Sequence, residues 1–136
     1  AVHNDELQAM YKQVTANEQM WEEYNCENAE YIITAFGTVA RIAKSAINEL
    51  KEKGIHVGLV RPITVWPFPY DAVAKAVNQP SVKAVLDVEL NEGQMLEDVK
   101  LAINGAKPID FTGHCGSQMP TTDEIVEKIL SMKEGK

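Results

Sequence analysis

Apolar positions along this chain alternate between two rhythms, short unbroken runs and longer stripes at helical spacing. Tyr31-Ile32-Ile33-Thr34-Ala35-Phe36 is nearly continuous apolar sequence and reads as a strand covered on both faces. Gly37 turns the chain. From Thr38 to Lys53, Val39, Ile42, Ala43, Ala46, Ile47 and Leu50 then recur at helical spacing while Arg41, Lys44, Asn48 and Lys51 point away. Gly54 stands where a glycine ends a helix. Val57–Val60 is a second strand, so strand, helix and strand form a βαβ unit whose strands run parallel with a right-handed crossover. Pro62, Pro67 and Pro69 force an extended path, and Pro69 opens a short helix through Val77. Val82–Val88 is a third strand. Met95, Leu96, Val99, Ala102 and Ile103 form the stripe of the next helix, and Pro108–Phe111 is a short fourth strand. Thr121 with Glu124 is a capping box ahead of a last helix carrying Ile125, Val126, Ile129 and Leu130, with a polar tail from Met132 to Lys136 expected to fray.

Ahead of these elements, Leu7, Met10, Tyr11, Val14, Trp21 and Tyr24 fall near one helical stripe, interrupted at Asn17 and Glu18. The spacing predicts a helix from Asn4 to about Tyr24, capped by Asn4, with Asp5 and Glu6 suited to its positive end. The expected organisation is a connector over residues 1–28 followed by an α/β domain over 29–136. That domain is expected to be a three-layer α/β/α sandwich around a mostly parallel sheet.

At 136 residues, with 45% hydrophobic residues, the chain has the size and composition of one globular domain that needs neither disulfide nor metal to fold. A net charge of −7 argues against nucleic-acid or anionic membrane surfaces, which call for clustered Lys and Arg. No apolar run is long enough to span a bilayer, and no basic-then-apolar signal opens the chain. Cys26 and Cys115 lack partners at ligand spacing, which argues against zinc or an iron–sulfur cluster and fits a reducing cytoplasm. The start Ala-Val-His, without Met, fits either a processed start or a piece of a longer polypeptide.

A sheet of this kind presents ligands at the carboxyl ends of its strands. Those ends are Phe36-Gly37-Thr38, Arg61-Pro62, Asp87 to Asn91, and Thr112-Gly113-His114. A lone Gly37 is not a dinucleotide fingerprint, there is no phosphate-binding loop ending in Gly-Lys-Ser/Thr, and Asp87 by itself is thin support for a phospho-acceptor. His114 beside Cys115 is a weak nucleophile–base candidate, because sequence neighbours usually diverge. Trp66 and Phe68 read as packing anchors. Glu89 and Asn91 suit either ligand binding or capping of the following helix, with capping or an interface favoured. The residues alone therefore describe a cytoplasmic α/β domain without a self-contained active site.

Three motifs carry a resemblance. Thr34-Ala35-Phe36-Gly37-Thr38, leading into an amphipathic helix, resembles the start of a transketolase C-terminal domain. The segment from Gly58 through Arg61-Pro62 to Pro69 is similar to that domain's counterpart in 2-oxoacid:ferredoxin oxidoreductases. Glu89-Leu90-Asn91-Glu92-Gly93-Gln94-Met95, followed by Asp98-Val99, resembles a Glu-x-Asn-x-Gly-Gln-Met/Leu segment of the same enzymes. The likeness runs from about Ala29 to Leu130, and the segment ending Glu23–Glu30 resembles the connector ahead of this domain in ketoisovalerate-type α subunits. One departure is the loop Gly113-His114-Cys115-Gly116-Ser117, where the family carries a Gly-Arg-Pro-Gly-Gly-like sequence, so an anion-binding arginine does not carry over.

The resemblance implies a parent enzyme that decarboxylates a 2-oxoacid to an acyl-CoA and reduces ferredoxin, using thiamine diphosphate, Mg, Fe–S clusters and CoA. This chain contains no Gly-Asp-Gly for Mg and no Cys-rich segment, so it is expected to bind none of these and to be catalytically silent alone. Its partners would be the other domains and subunits of the same oxidoreductase, with Arg61, Pro62, Glu89, Asn91, Gly93 and Gln94 as the contact face. Pairing of Arg61 with Glu89 would be an internal alternative if their strands are neighbours. The competing assignments are the C-terminal domain of another thiamine enzyme, such as a 2-oxoacid dehydrogenase β subunit or a deoxyxylulose phosphate synthase, and a free-standing interaction module.

Overall fold

The structure is a computed structural model that describes residues 21–62, 69–89, 95–113 and 120–135. Its elements in chain order are β1 (Trp21–Tyr24), β2 (Tyr31–Ala35), α1 (Val39–Glu52), β3 (Val57–Pro62), α2 (Tyr70–Val77), β4 (Ala84–Glu89), α3 (Leu96–Ile103), β5 (Ile109–Gly113) and α4 (Thr122–Lys133). They form one five-stranded sheet in the order β1-β3-β2-β4-β5. β2 pairs parallel with β3, with Tyr31 opposite Val57, and parallel with β4, with Tyr31 opposite Ala84. β5 runs parallel to β4. All five residues of β2 are buried, as expected for a central strand covered on both faces.

Alternation along the strands sorts side chains into two cores. Tyr31, Ile33, Val57, Leu59, Leu86 and Val88 meet α1 and α4 through Ala43, Ile47, Leu50, Ile125 and Ile129. Ile32, Val60 and Val85 meet α2 and α3 through Val73, Val77, Val99 and Ile103. The result is the expected three-layer α/β/α sandwich with a mostly parallel sheet. The sequence stripe of α1 is its buried face. The helix ends in a Schellman arrangement in which Gly54 (φ +81°) donates to Lys51 O and Ile55 donates to Leu50 O, while Ile55 packs back into the core. α4 begins as its capping box predicts, Thr121 Oγ1 accepting from the Glu124 N–H at 3.1 Å. It runs to Lys133, farther than the expected fraying at Met132.

The N-terminal helix requires correction at its end. Trp21–Tyr24 is an edge strand antiparallel to β3, with Trp21 opposite Pro62 and Tyr24 opposite Leu59. The rest of that expected helix, residues 4–20, lies outside the described residues. Trp21 and Tyr24 satisfy helical spacing, but long-range hydrogen bonds to β3 and contacts to α1 decide the conformation. Glu22 lies 2.5 Å from Lys44, and the Tyr24 hydroxyl donates to Asn48 Oδ1 at 2.7 Å. The turn after β1 folds over β3. Asn25 Nδ2 donates to Val57 O at 3.0 Å, the Cys26 thiol to Leu59 O at 3.1 Å, and Gln79 Nε2 to Cys26 O at 2.9 Å. Gly58 leaves the space this turn occupies.

Candidate functional site at the carboxyl ends of the strands

The chain steps from β2 to β3 on one side and then crosses to β4 on the other, so strand order reverses at the β2–β4 junction. In open α/β sheets this switch point is where functional groups collect. Thr34 of β2 stands opposite Asp87 of β4, and its Oγ1 donates to Asp87 Oδ1 at 2.8 Å. Two residues on, Glu89 projects from the same face of the strand. Its Oε1 accepts the Met95 N–H at 2.8 Å, immediately ahead of α3. Thr34, Asp87 and Glu89 are the buried polar residues of the described chain, Asp87 fully buried and Glu89 5% exposed.

Burial first, and then the facing Glu89 carboxyl, push the Asp87 carboxyl up to about 9 against the opposing effect of the Thr34 hydroxyl. Asp87 Oδ2 and Glu89 Oε2 have no hydrogen-bond partner among the described residues. Nearby, Tyr70 at the start of α2 donates to Asp98 of α3 at 2.6 Å, and that acceptor raises the Tyr70 hydroxyl above its ordinary value.

The candidate contact residues separate by face. Arg61 has the strand parity of Val57 and Leu59 and so lies on the α1–α4 side, half-buried and opposite Glu22 of β1. Lys44, together with Arg61, holds the half-buried Glu22 carboxyl below its ordinary range. Glu89 has the parity of Val85 and lies on the α2–α3 side, with β2 between its strand and that of Arg61. The alternative pairing of Arg61 with Glu89 is therefore ruled out by both strand order and face. Pro62 is buried at the end of β3. Asn91, Gly93 and Gln94 lie outside the described residues, as do Trp66, Phe68, His114 and Cys115.

Glu89 caps the approach to α3, the role its position before a helix suggested. Sequence reasoning missed the partnership of Asp87 with Thr34, although a Thr and an Asp each interrupting an apolar strand run was a readable signal. It also missed Phe36, which follows β2 at the same end and is 43% exposed. Among the described residues, no group of three or more His, Cys, Asp or Glu side chains gathers to hold a metal ion.

The pyruvate:ferredoxin oxidoreductase core domain II model matches residues 29–125. The chain belongs to that family. It is 34% identical over 123 residues to the ketoisovalerate oxidoreductase subunit VorB of Methanothermobacter thermautotrophicus, a match covering 90% of this chain and 34% of that protein. The chain thus spans about a third of the length of the curated relatives first matched. Its fold is similar to that of a 2-oxoglutarate:ferredoxin oxidoreductase from Magnetococcus marinus, solved with 2-oxoglutarate, coenzyme A and succinyl-CoA bound (TM-score 0.69, 22% identity, 96% of this chain and 23% of the other). It is also similar to a split-gene transketolase in an inactive β4 tetramer (TM-score 0.65, 16% identity, 75% and 37%). These likenesses agree with the fold read from Thr34–Thr38 and the segment around Arg61-Pro62. No described helix is long and apolar enough to cross a membrane.

Proposed function

We propose that this chain is an assembly domain of a cytoplasmic 2-oxoacid:ferredoxin oxidoreductase acting on 2-ketoisovalerate, and that it organises neighbouring domains and subunits without contributing catalytic groups. The observation that carries the reading is the likeness to VorB over 90% of the chain. The parent enzyme decarboxylates the 2-oxoacid, forms an acyl-CoA and passes electrons to ferredoxin, with thiamine diphosphate, Mg, Fe–S clusters and CoA held by other parts. The described residues do not fit thiamine diphosphate or its Mg. The carboxyls at the switch point, Asp87 and Glu89, are buried against the α2–α3 layer and engaged by Thr34 and the Met95 N–H. Residues 1–28 serve as the connector, their last part docking as β1.

The contact face is the carboxyl end of the sheet, with Arg61, Pro62, Glu89, Asn91, Gly93 and Gln94 as its proposed members; exposed Phe36 follows β2 at that end. Within it Arg61 is a half-buried charge, whereas Glu89 acts from beneath by fixing the start of α3. Arg61→Ala in the assembled oxidoreductase tests the reading. Its only described electrostatic neighbour, Glu22, is at the surface, so the loss to the domain itself stays below about 1 kcal/mol. The expected result is dissociation of the complex at higher protein concentration than wild type, with the melting temperature of the isolated domain nearly unchanged. A domain that melts much earlier inside a complex with no assembly defect refutes the interface.

A further inference from the structure

The buried acids of the switch point raise a question of charge that is independent of whether the face above them is a contact. Four carboxyl oxygens meet there, and the described residues supply two donors, the Thr34 hydroxyl to Asp87 Oδ1 and the Met95 N–H to Glu89 Oε1. Among those residues, Asp87 Oδ2 and Glu89 Oε2 are left without a partner. A buried oxygen without a donor is costly, and two adjacent buried carboxylates repel in a medium that screens them poorly. One proton placed between the carboxyls removes both costs: it supplies the missing hydrogen bond and leaves the pair with a single negative charge.

We propose that Asp87 and Glu89 form a one-proton latch, in which the shared proton keeps Glu89 in place to hold the Met95 N–H and so docks the start of α3 on the end of β4. Among the described residues, the groups around the latch offer no substitute cation. On either side in the sheet, Asp87 has Thr34 of β2 and Phe111 of β5 opposite it, and Glu89 has Gly113. On the same side of the sheet, the helices bury the apolar side chains Val73, Ala76 and Val77 of α2 and Met95 and Val99 at α3. The charged residues Asp71, Lys75, Glu97 and Lys100 of those helices are exposed, and Asp98 accepts from Tyr70. Removal of the proton to solvent base leaves two facing carboxylates. Glu89, the longer side chain at the very end of its strand, is the one able to swing away, and it releases the Met95 N–H as it goes. The raised titration of Asp87 agrees with this arrangement.

The test is a carboxyl-carbon and amide NMR titration of the 136-residue chain. In wild type, the Asp87 Cγ resonance should sit at its protonated position at pH 7 and shift near pH 9, with the Met95 amide resonance moving in the same transition. Asp87→Asn presents an oxygen to Thr34 and an N–H to Glu89 and so mimics the protonated acid; the Met95 amide should then stay fixed through that range. Glu89→Gln keeps an acceptor for Met95 and donates to Asp87, and should abolish the transition as well. An ionised Asp87 carbon at pH 7 overturns the shared proton. A Met95 amide that does not follow Asp87 in wild type overturns the latch. If a variant fails to fold, the wild-type titration decides both points by itself.

Discussion

Replacing Gly58 by Ala tests whether the turn after β1 is as closely seated as the structure makes it. A Cβ at position 58 would lie 2.6 Å from Cys26 Cα and 3.0 Å from both Asn25 O and Cys26 Sγ. Comfortable carbon–carbon contact is about 3.5–4 Å, so the overlap with Cys26 Cα is about 1 Å. The obstacle is backbone, which cannot rotate away. It is also tied down by Asn25 to Val57 O, Cys26 to Leu59 O, Gln79 to Cys26 O, and His56 Nε2 to Asn25 O at 2.9 Å. Overpacking of this kind costs about 1–3 kcal/mol, and a pinned backbone puts the site at the upper end. Against this, Ala restricts the unfolded chain and returns about 0.4–1 kcal/mol. The net loss is about 2 kcal/mol, a drop of about 8 °C in melting temperature at roughly 4 °C per kcal/mol for a domain of this size. Thermal and urea unfolding followed by circular dichroism read it directly. Adding Cys26→Ala should recover little, because the closest clash is with Cα. A Gly58→Ala chain as stable as wild type would show that the turn does not sit on β3.

Thr121→Ala removes the hydroxyl that accepts the Glu124 N–H, and should lower unfolding free energy by about 1 kcal/mol in urea titration; Thr121→Ser should retain most of it. The Cys26 thiol, pushed up to about 11 by burial and then by the Glu23 charge, should be nearly inert to iodoacetamide at pH 8 in a Cys115→Ser background and react normally once unfolded; equal rates would refute its burial. The same thiol sets a sign. Its folded value lies above the unfolded one of 9.0, so its contribution is complete below pH 9 and declines as pH rises towards 11, visible as a falling melting temperature across that window that Cys26→Ser lacks.

The layered fold was legible because period and burial coincide wherever one strand lies between two helix layers. Tyr31–Phe36 and Val57–Val60 announced parallel central strands, and Val39–Leu50 announced a helix, since each element is buried on the face its own spacing defines. Trp21–Tyr24 failed that logic. An edge strand is held by hydrogen bonds to β3, which is 37 residues away in sequence at the Glu23–Val60 pair, and such pairing leaves no periodic trace in four residues.

 In register terms, Glu22 faces Arg61 and Glu23 faces Val60, partners that no local window of sequence contains. The candidate site was half legible for a related reason. Strand-end positions can be read from a sequence, so Arg61, Pro62 and Glu89 were found. The face each side chain takes, and the neighbour it meets, depend on strand order. That order put β2 between β3 and β4, separated Arg61 from Glu89, and joined Thr34 to Asp87 instead.

The antiparallel course of β1 also has a mechanical meaning. Trp21 stands opposite Pro62, so the polypeptide enters this domain at the carboxyl end of the sheet and runs down its edge to Tyr24, opposite Leu59. Tension applied to Trp21 along the strand axis would load the rungs between β1 and β3 together, in shear, instead of peeling them apart one by one. The Glu22–Lys44 and Tyr24–Asn48 contacts brace the same strand from the side against α1. An edge strand of four residues thus becomes a tether through which a pull at the entrance is shared with the central sheet.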